Sequence, residues 1–394
     1  MKIVIFTDTY FPQVNGIVRY VSDVIGLLSK KNEVVLFAPG EGRARVEQVS
    51  KRFKVYWIPG TPFPFYEGYR IASVNYKRVS NLLAKEKPDV VHAHAPVVLG
   101  LQGVISARRK KLPIVISYHT HFPDYLPHHL FYGLLPKTLD DLSEFTVKKL
   151  IKHVFKRADV VTAPTEELVR ELSSYGLDNV IRLPNGIDLE RFRREPAKEE
   201  EFRKLYRIPK NKKVVLYLGR ISSEKKLDCL LRAFKMIEKK DRLLLVVGGG
   251  QHLERFKELA KALGIKGVIF TGFIEREYLN AAYGCADIFA SASDTETFGL
   301  TFVEAMYMGL PVVGVWKYGA KEVVVDEKTG ILVEPENDAA LADAMERLLE
   351  DDTLRRRMGR KARKRSMEFS LRKSVSKTMK IYKKLRGKKV GKST

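Results

Sequence analysis

Residues Lys213–Gly219 read KVVLYLG, and Arg220–Lys225 continue as RISSEK. A β-branched apolar run that stops at a glycine is a buried strand meeting its loop. Apolar residues at helical spacing follow, in KLDCLLRAFKMIEK. Then come RLLLVVGGG, a helical HLERFKELAKALG, GVIFTGF, DIFASAS and PVVGV. The same alternation already occupies the first part of the chain. KIVIF is a strand, and GIVRYVSDVIGLLSK a helix. EVVLFAP, KVYWIP, DVVHAHAP, PIVISYH and DVVTAP are further strands. Buried strands spaced by helices give a parallel sheet with crossover helices. Because the pattern restarts at Lys213, two doubly wound α/β halves are expected. The apolar runs cease along LPNGIDLERFRREPAKEEE, so the seam is placed there. The expected domains are residues 1–187 and 188–371, with a basic segment 372–394 after them.

Bulk numbers agree with this division. At 394 residues the chain exceeds what one core supports. Apolar content is 45% and charge 30%, ordinary for a globular protein. Cys229 and Cys285 supply neither a disulfide framework nor zinc spacing, which fits a reducing cytoplasm. No apolar run reaches the ~18–20 residues of a membrane span. MKIVIF runs straight into TDTYFP, without the design of a secretory leader. The net charge of +24 is uneven, since Arg355–Thr394 carries 18 basic residues and one acidic. No RNA-binding or helix-turn-helix signature accompanies that tail. An anionic membrane surface or plain solubility is expected for it rather than nucleic acid.

Ligands of open α/β sheets sit beyond the carboxyl ends of the strands. There the chain reads SDTETFGLTFVEAM, Ser293–Met306. On one continuous helix Glu296 and Glu304 would lie roughly 80° apart. DIFASAS is a strand, however, DTETFG a loop, and LTFVEAMYMG a helix. Glu296 therefore falls in the loop, and Glu304 in the early turns of the helix. The amides near Phe298–Thr301 point out of the helix start, where anions and hydroxyls bind. Gly299 admits a ligand close to the backbone, and carboxylates accept hydrogen bonds from vicinal hydroxyls. The constellation suits a sugar, or a ribose beside a phosphate. Acids at a helix start also stabilise its dipole, and the residue types alone leave both readings open. Arg220 follows Gly219 at a strand end, with Lys225 five residues on. Two fixed cations at a sheet edge can neutralise a departing diphosphate. An ordinary solvated loop is the alternative.

Asn15-Gly16 opens a helix after the first strand, without a G-x-G-x-x-G, so nicotinamide binding is unsupported. GGGQ is a second glycine-rich turn, nonspecific alone. Six of the eight histidines lie between His92 and His129. Strand alternation pairs His92 with His94, and His119 with His121. No H-E-x-x-H or cysteine partner accompanies them, so metal is not expected. FTVKKLIKHVFKRADVV is a basic amphipathic helix. It fits an anionic lipid surface or simple packing on a sheet equally well. PGTPFPFYEGYR offers an aromatic loop.

Taken in order, SDTETFGLTFVEAMYMGLPVV, LGRISSEK, PNGID, TGF and ADIFASAS resemble the retaining glycosyltransferases of family 4, which have the GT-B fold of two Rossmann-like domains facing across a cleft. TDTYFPQVNGIVRY and YHTHFPDY look most like the branch that adds glucose or mannose to membrane lipids. The resemblance implies that Glu296 holds donor-sugar hydroxyls and Glu304 the ribose diol. Phe298, Gly299 and Leu300 would present amides, and Arg220 and Lys225 would neutralise the diphosphate, with Gly219 at the same strand end. Gly16 would approach that diphosphate, His119 the sugar near its reacting carbon, and Ile274 the base. It also implies that the last helix, FSLRKSVSKTMKIYKKL, crosses back to the first domain. The absence of an acid and a proline in GGGQ departs from the family pattern. The expected enzyme is a hexosyltransferase using UDP-glucose or GDP-mannose, with no metal and no resident cofactor, since no D-x-D occurs. It would be cytoplasmic, peripheral on the inner face of the membrane. A nucleotide-sugar epimerase of the same fold and a non-enzymatic basic adaptor are the alternatives.

Overall fold

A computed structural model of the chain describes residues 1–13, 15–63, 69–121, 140–237 and 241–390. His128, His129 and residues 64–68 of the aromatic loop lie outside the described residues. The chain divides into two compact units, Met1–Gly186 with Leu371–Thr394, and Ile187–Ser370.

In the first unit the strands are Lys2–Thr7 (β1), Glu33–Gly40 (β2), Arg45–Ser50 (β3), Phe53–Pro62 (β4), Arg70–Ala72 (β5), Val90–His94 (β6), Ile114–Ser117 (β7), Val160–Ala163 (β8) and Val180–Arg182 (β9). They form one sheet in the order β3-β4-β2-β1-β6-β7-β8-β9, with β5 on β4. All pairings are parallel except those of β3 and β5, which run antiparallel to β4. Neither of these two strands is expected from sequence. Every residue of β3 is exposed, so it carries no core-facing alternation to read. Strand order reverses at β1 and β6, whose carboxyl ends lie side by side. Asp8, just after β1, accepts the N–H groups of Val97, Val98, Leu99 and Gly100 at 2.6–3.0 Å. It thereby caps the helix Leu99–Arg109, whose own cap residue makes no side-chain bond.

The helix Gly16–Leu28 starts where Asn15 Oδ1 accepts the N–H of Val18 at 2.9 Å. Val18, Val21, Val24, Ile25 and Leu28 form its buried stripe. One core cluster joins Val21, Val24, Ile25 and Leu28 of this stripe, with Ile3, Ile5 and Leu36, to Leu371, Val375, Tyr382 and Leu385 of the helix Leu371–Val390. The last helix is thus part of the first unit.

The second unit holds Lys213–Leu218 (β10), Arg242–Val247 (β11), Val268–Gly272 (β12), Ile288–Ala290 (β13), Val312–Val315 (β14) and Gly330–Val333 (β15). The order is β12-β11-β10-β13-β14-β15, all parallel. Apolar clusters cover both faces. Here the order reverses between β10 and β13. The crevice for a ligand lies at such a reversal, beyond the carboxyl ends.

Candidate active site

RISSEK leaves the end of β10, and SDTETFG follows closely on β13, so the reversal brings the two loops together. Tyr217 OH donates to the carbonyl of Arg220 at 2.8 Å, which fixes the backbone at the strand end. Arg220 Nη2 lies 2.9 Å from Glu224 Oε1, and Ser222 Oγ donates to the same oxygen at 2.6 Å. Burial works against the Glu224 charge, but Arg220 and Lys225 hold its carboxyl below the usual range. Lys225 Nζ lies 2.5 Å from Glu296 Oε1. Lys226 Nζ lies 2.8 Å from Asp294 Oδ2. The hydroxyls of Ser293 and Thr295 both reach the carbonyl of Glu224. Cations of one loop therefore face carboxylates of the other, and the loops are stitched through main chain as well.

Gly299 ends the second loop at φ +76°, in the left-handed region that only glycine enters cheaply. The helix Leu300–Tyr307 begins there with no side-chain cap bond. Phe298 is buried, packed edge to face on Phe369 with centroids 5.5 Å apart. Its side chain anchors the turn from the core, so only its backbone belongs to the site. Glu304 is 1% exposed, and Tyr283 OH donates to its Oε2 at 2.7 Å. The two glutamates thus have separate settings. Glu296 is loop-borne and paired with lysine; Glu304 is helix-borne and held by a tyrosine. Ile274 packs partly buried against the apolar cluster behind β12, beside Phe273, which is 81% exposed.

Gly16 and His119 belong to the first unit. Gly16 is the first residue of its helix. His119 Nε2 lies 2.8 Å from His94 Nδ1. His92 bonds Tyr382 OH at 2.5 Å and Ser117 Oγ at 2.7 Å. His121 turns elsewhere, with Nε2 2.7 Å from Glu171 Oε1. Alternation misplaces His121 because β7 ends at Ser117. Burial lowers His92 to about 3 and His119 to about 4, so both rings are neutral near pH 7. Among the described residues, no group of three or more His, Cys, Asp or Glu side chains is arranged to hold a metal.

Sequence reasoning gave no role to Glu224, Tyr283 or Gly319. Gly319 N–H donates to the carbonyl of Glu296 at 2.8 Å. A Cβ there would sit 2.4 Å from the backbone carbon of Phe298. Gly319→Ala therefore pushes the SDTETFG loop from behind. The expected loss is about 1–3 kcal/mol, as for other overpacked sites. Chemical denaturation measures it, and a parent-like midpoint contradicts it.

Residues 14–191 match the model described as Glycosyltransferase Family 4, and residues 198–365 the model described as Glycosyl transferases group 1. Over 349 residues the chain is 33% identical to the alpha-monoglucosyldiacylglycerol synthase of Streptococcus pneumoniae, covering 86% of this chain and 77% of that one. The protein is a family 4 glycosyltransferase of the GT-B fold. This glycosyltransferase is also 27% identical over 368 residues to a GDP-mannose-dependent alpha-mannosyltransferase of Mycolicibacterium smegmatis, covering 92% of each chain. Among solved structures, the sucrose-phosphate synthase of Thermosynechococcus elongatus superposes with a TM-score of 0.78 at 20% identity. That match covers 98% of this glycosyltransferase and 99% of the synthase.

Proposed function

We propose that this glycosyltransferase moves a hexose from UDP-glucose or GDP-mannose to a hydroxyl of a membrane lipid, with retention and without a bound metal. The Lys225–Glu296 contact at the β10–β13 reversal carries the reading. It sets a cation for the departing diphosphate beside a carboxylate for the sugar hydroxyls. The bond from the anomeric carbon to the diphosphate oxygen breaks, and the diphosphate leaves with the electron pair. The acceptor oxygen bonds to that carbon, and its proton passes to the departing phosphate. Arg220, Lys225 and the amides of Gly299 and Leu300 stabilise the growing charge. Glu304 grips the ribose. The names of the relatives, a diacylglycerol glucoside synthase and a mannosyltransferase, support transfer over epimerisation.

Two surfaces of the first unit support a lipid acceptor. In the helix Asp140–Phe155, Phe145 and Leu150 are each 54% exposed, and Lys149 Nζ stands 4.2 Å from the Phe145 ring centroid. Lys377, Lys380, Lys383 and Lys384 line the exposed face of the last helix. Basic residues with apolar side chains between them suit an anionic bilayer. Among the described residues no helix is long and apolar enough to cross one.

Incubating each nucleotide sugar with diacylglycerol or phosphatidylinositol vesicles tests the reading. Labelled glycolipid should form only when donor and acceptor are both present. Conversion of donor alone to another nucleotide sugar would favour an epimerase. At residue level, Glu304→Ala is expected to weaken UDP or GDP binding more than Glu296→Ala does. Isothermal titration compares the two, and equal losses would end the division between ribose and sugar.

A further inference from the structure

Lys226 is a cation of the site with no part in the proposed reaction. The chain turns sharply at it, with φ +47° and ψ +43°, in the left-handed region where a side chain is unfavourable. It closes the short turn Ser223–Lys225, its N–H donating to the carbonyl of Ser223 at 3.0 Å, and the helix Leu227–Met236 starts directly after it. A glycine would suit this backbone better. The side chain shows what the lysine adds. Its Nζ lies 2.8 Å from Asp294 Oδ2 and 2.6 Å from Glu336 Oε1. Glu336 itself has φ +61°. Two residues in costly backbone conformations are thus joined through their charged ends, and strain of this kind persists only where the surroundings hold it.

The bridge ties three loops, those leaving the carboxyl ends of β10, β13 and β15. Asp294 Oδ1 is buried without a hydrogen-bond partner among the described residues. Lys226 is the nearest cation to that carboxylate, ahead of Lys317 at 4.0 Å. Burial works against the Lys226 charge, but the two carboxylates hold its pKa above the usual lysine value. Lys225 and Lys226 therefore reach across to Glu296 and Asp294 as two adjacent rungs. The rungs differ in what the donor asks of them. Lys225 and Glu296 both serve the donor in the proposed reaction, so theirs is the contact that donor binding interrupts. Lys226 and Asp294 have no such duty. On its other side Lys225 follows Glu224, whose carbonyl accepts the hydroxyls of Ser293 and Thr295. The chain is thereby tethered to the SDTETFG loop just before Lys225 and just after it.

We infer that Lys226 is a positioning residue, whose bridge to Asp294 and Glu336 keeps Lys225 in place for the departing diphosphate once the donor has opened the Lys225–Glu296 contact. The inference rests on the reading of Lys225 as a diphosphate cation. A cation that stabilises charge developing during reaction must be in place beforehand, because moving it at that moment would add to the barrier. Without the bridge the turn at Lys226 relaxes, and Lys225 shifts with it. The loss falls on turnover rather than on donor affinity, since the diphosphate is most negative as the sugar leaves.

The test is steady-state kinetics of the full chain, with UDP-glucose or GDP-mannose as donor and diacylglycerol or phosphatidylinositol vesicles as acceptor, and melting curves alongside. Lys226→Gly removes the bridge but suits the left-handed backbone. These effects on stability have opposite signs, so its melting temperature should stay near the parent's. Its kcat should nevertheless fall roughly ten-fold, short of the ~10² that a misplacement of about 1 Å costs, with donor KM little changed. Lys226→Arg keeps charge and reach and should restore most of the turnover. Asp294→Asn should reproduce the loss, and combining it with Lys226→Gly should add little. Parent-like kcat in Lys226→Gly overturns the proposal, and so does an arginine variant as slow as the glycine one. A kcat loss matched by a lowered melting temperature marks a plain structural brace and overturns it too. Lys225→Met is the control. If it slows turnover while Lys226→Gly does not, only the positioning is wrong. If it leaves turnover unchanged, the diphosphate role of Lys225 falls, and the inference with it.

Discussion

Arg220→Ala is expected to lower kcat by about 10²–10³, the loss typical of one preorganised donor to a developing negative charge. The residue sits directly after β10, at the strand reversal, with its carbonyl held by Tyr217. The Tyr217 bond remains in the variant, while the charge and its contact with Glu224 are lost. The cost should appear mainly in kcat, because the diphosphate acquires its full charge only as the sugar leaves. Saturating donor and acceptor in a product-release assay give the number directly. Parent-like turnover would show that Lys225 and the helix amides suffice, and would remove Arg220 from the mechanism. A fall in kcat together with loss of cooperative unfolding would be uninformative, so melting curves accompany the kinetics.

The second large effect concerns stability against acid. His92 and His119 are held neutral by burial, at about 3 and about 4, and His94 lies well below its ordinary value for the same reason. In the unfolded chain each titrates near 6.5. The unfolded state thus binds more protons as pH falls. This contribution is complete above about pH 7 and is lost from about pH 6.5 down towards 4. Each histidine takes away about 1.4 kcal/mol per pH unit within that window. Asp8 has the opposite sign, because burial raises its carboxyl even though four backbone N–H groups pull it down. Urea midpoints at pH 7.5, 6.0 and 5.0 should fall progressively, and His92→Gln should flatten the trend. A midpoint independent of pH over this range would refute the claim.

Much of the site was readable because its chemistry is local. Strand, loop and helix start follow one another in DIFASAS, DTETFG and LTFVEAMYMG, so Glu296 and Glu304 could be separated by their elements alone. Lys225 was visible as a cation near a strand end. Its partnership with Glu296 was not, since it depends on β10 and β13 being neighbours. Tyr283 escaped for a similar reason. It lies 21 residues before Glu304 on another helix, and nothing periodic links them. Gly319 touches the site only with its backbone, which leaves no side-chain signature. Strand β3 was missed because none of its residues is buried, and His121 because a strand's alternation ends with the strand.

The last helix has a consequence for how the molecule is made. Tyr382 closes the buried chain that runs through His92 to Ser117, yet it is synthesised after the whole of Ile187–Ser370. A ribosome adding about 5–20 residues per second needs roughly 10–40 s to translate that insert. Throughout that interval the nascent first sheet must wait with the seat for Tyr382 open. The second unit can finish first, although it begins later. Shortening the chain from its C-terminal end would accordingly leave the later-starting unit whole and the earlier one incomplete.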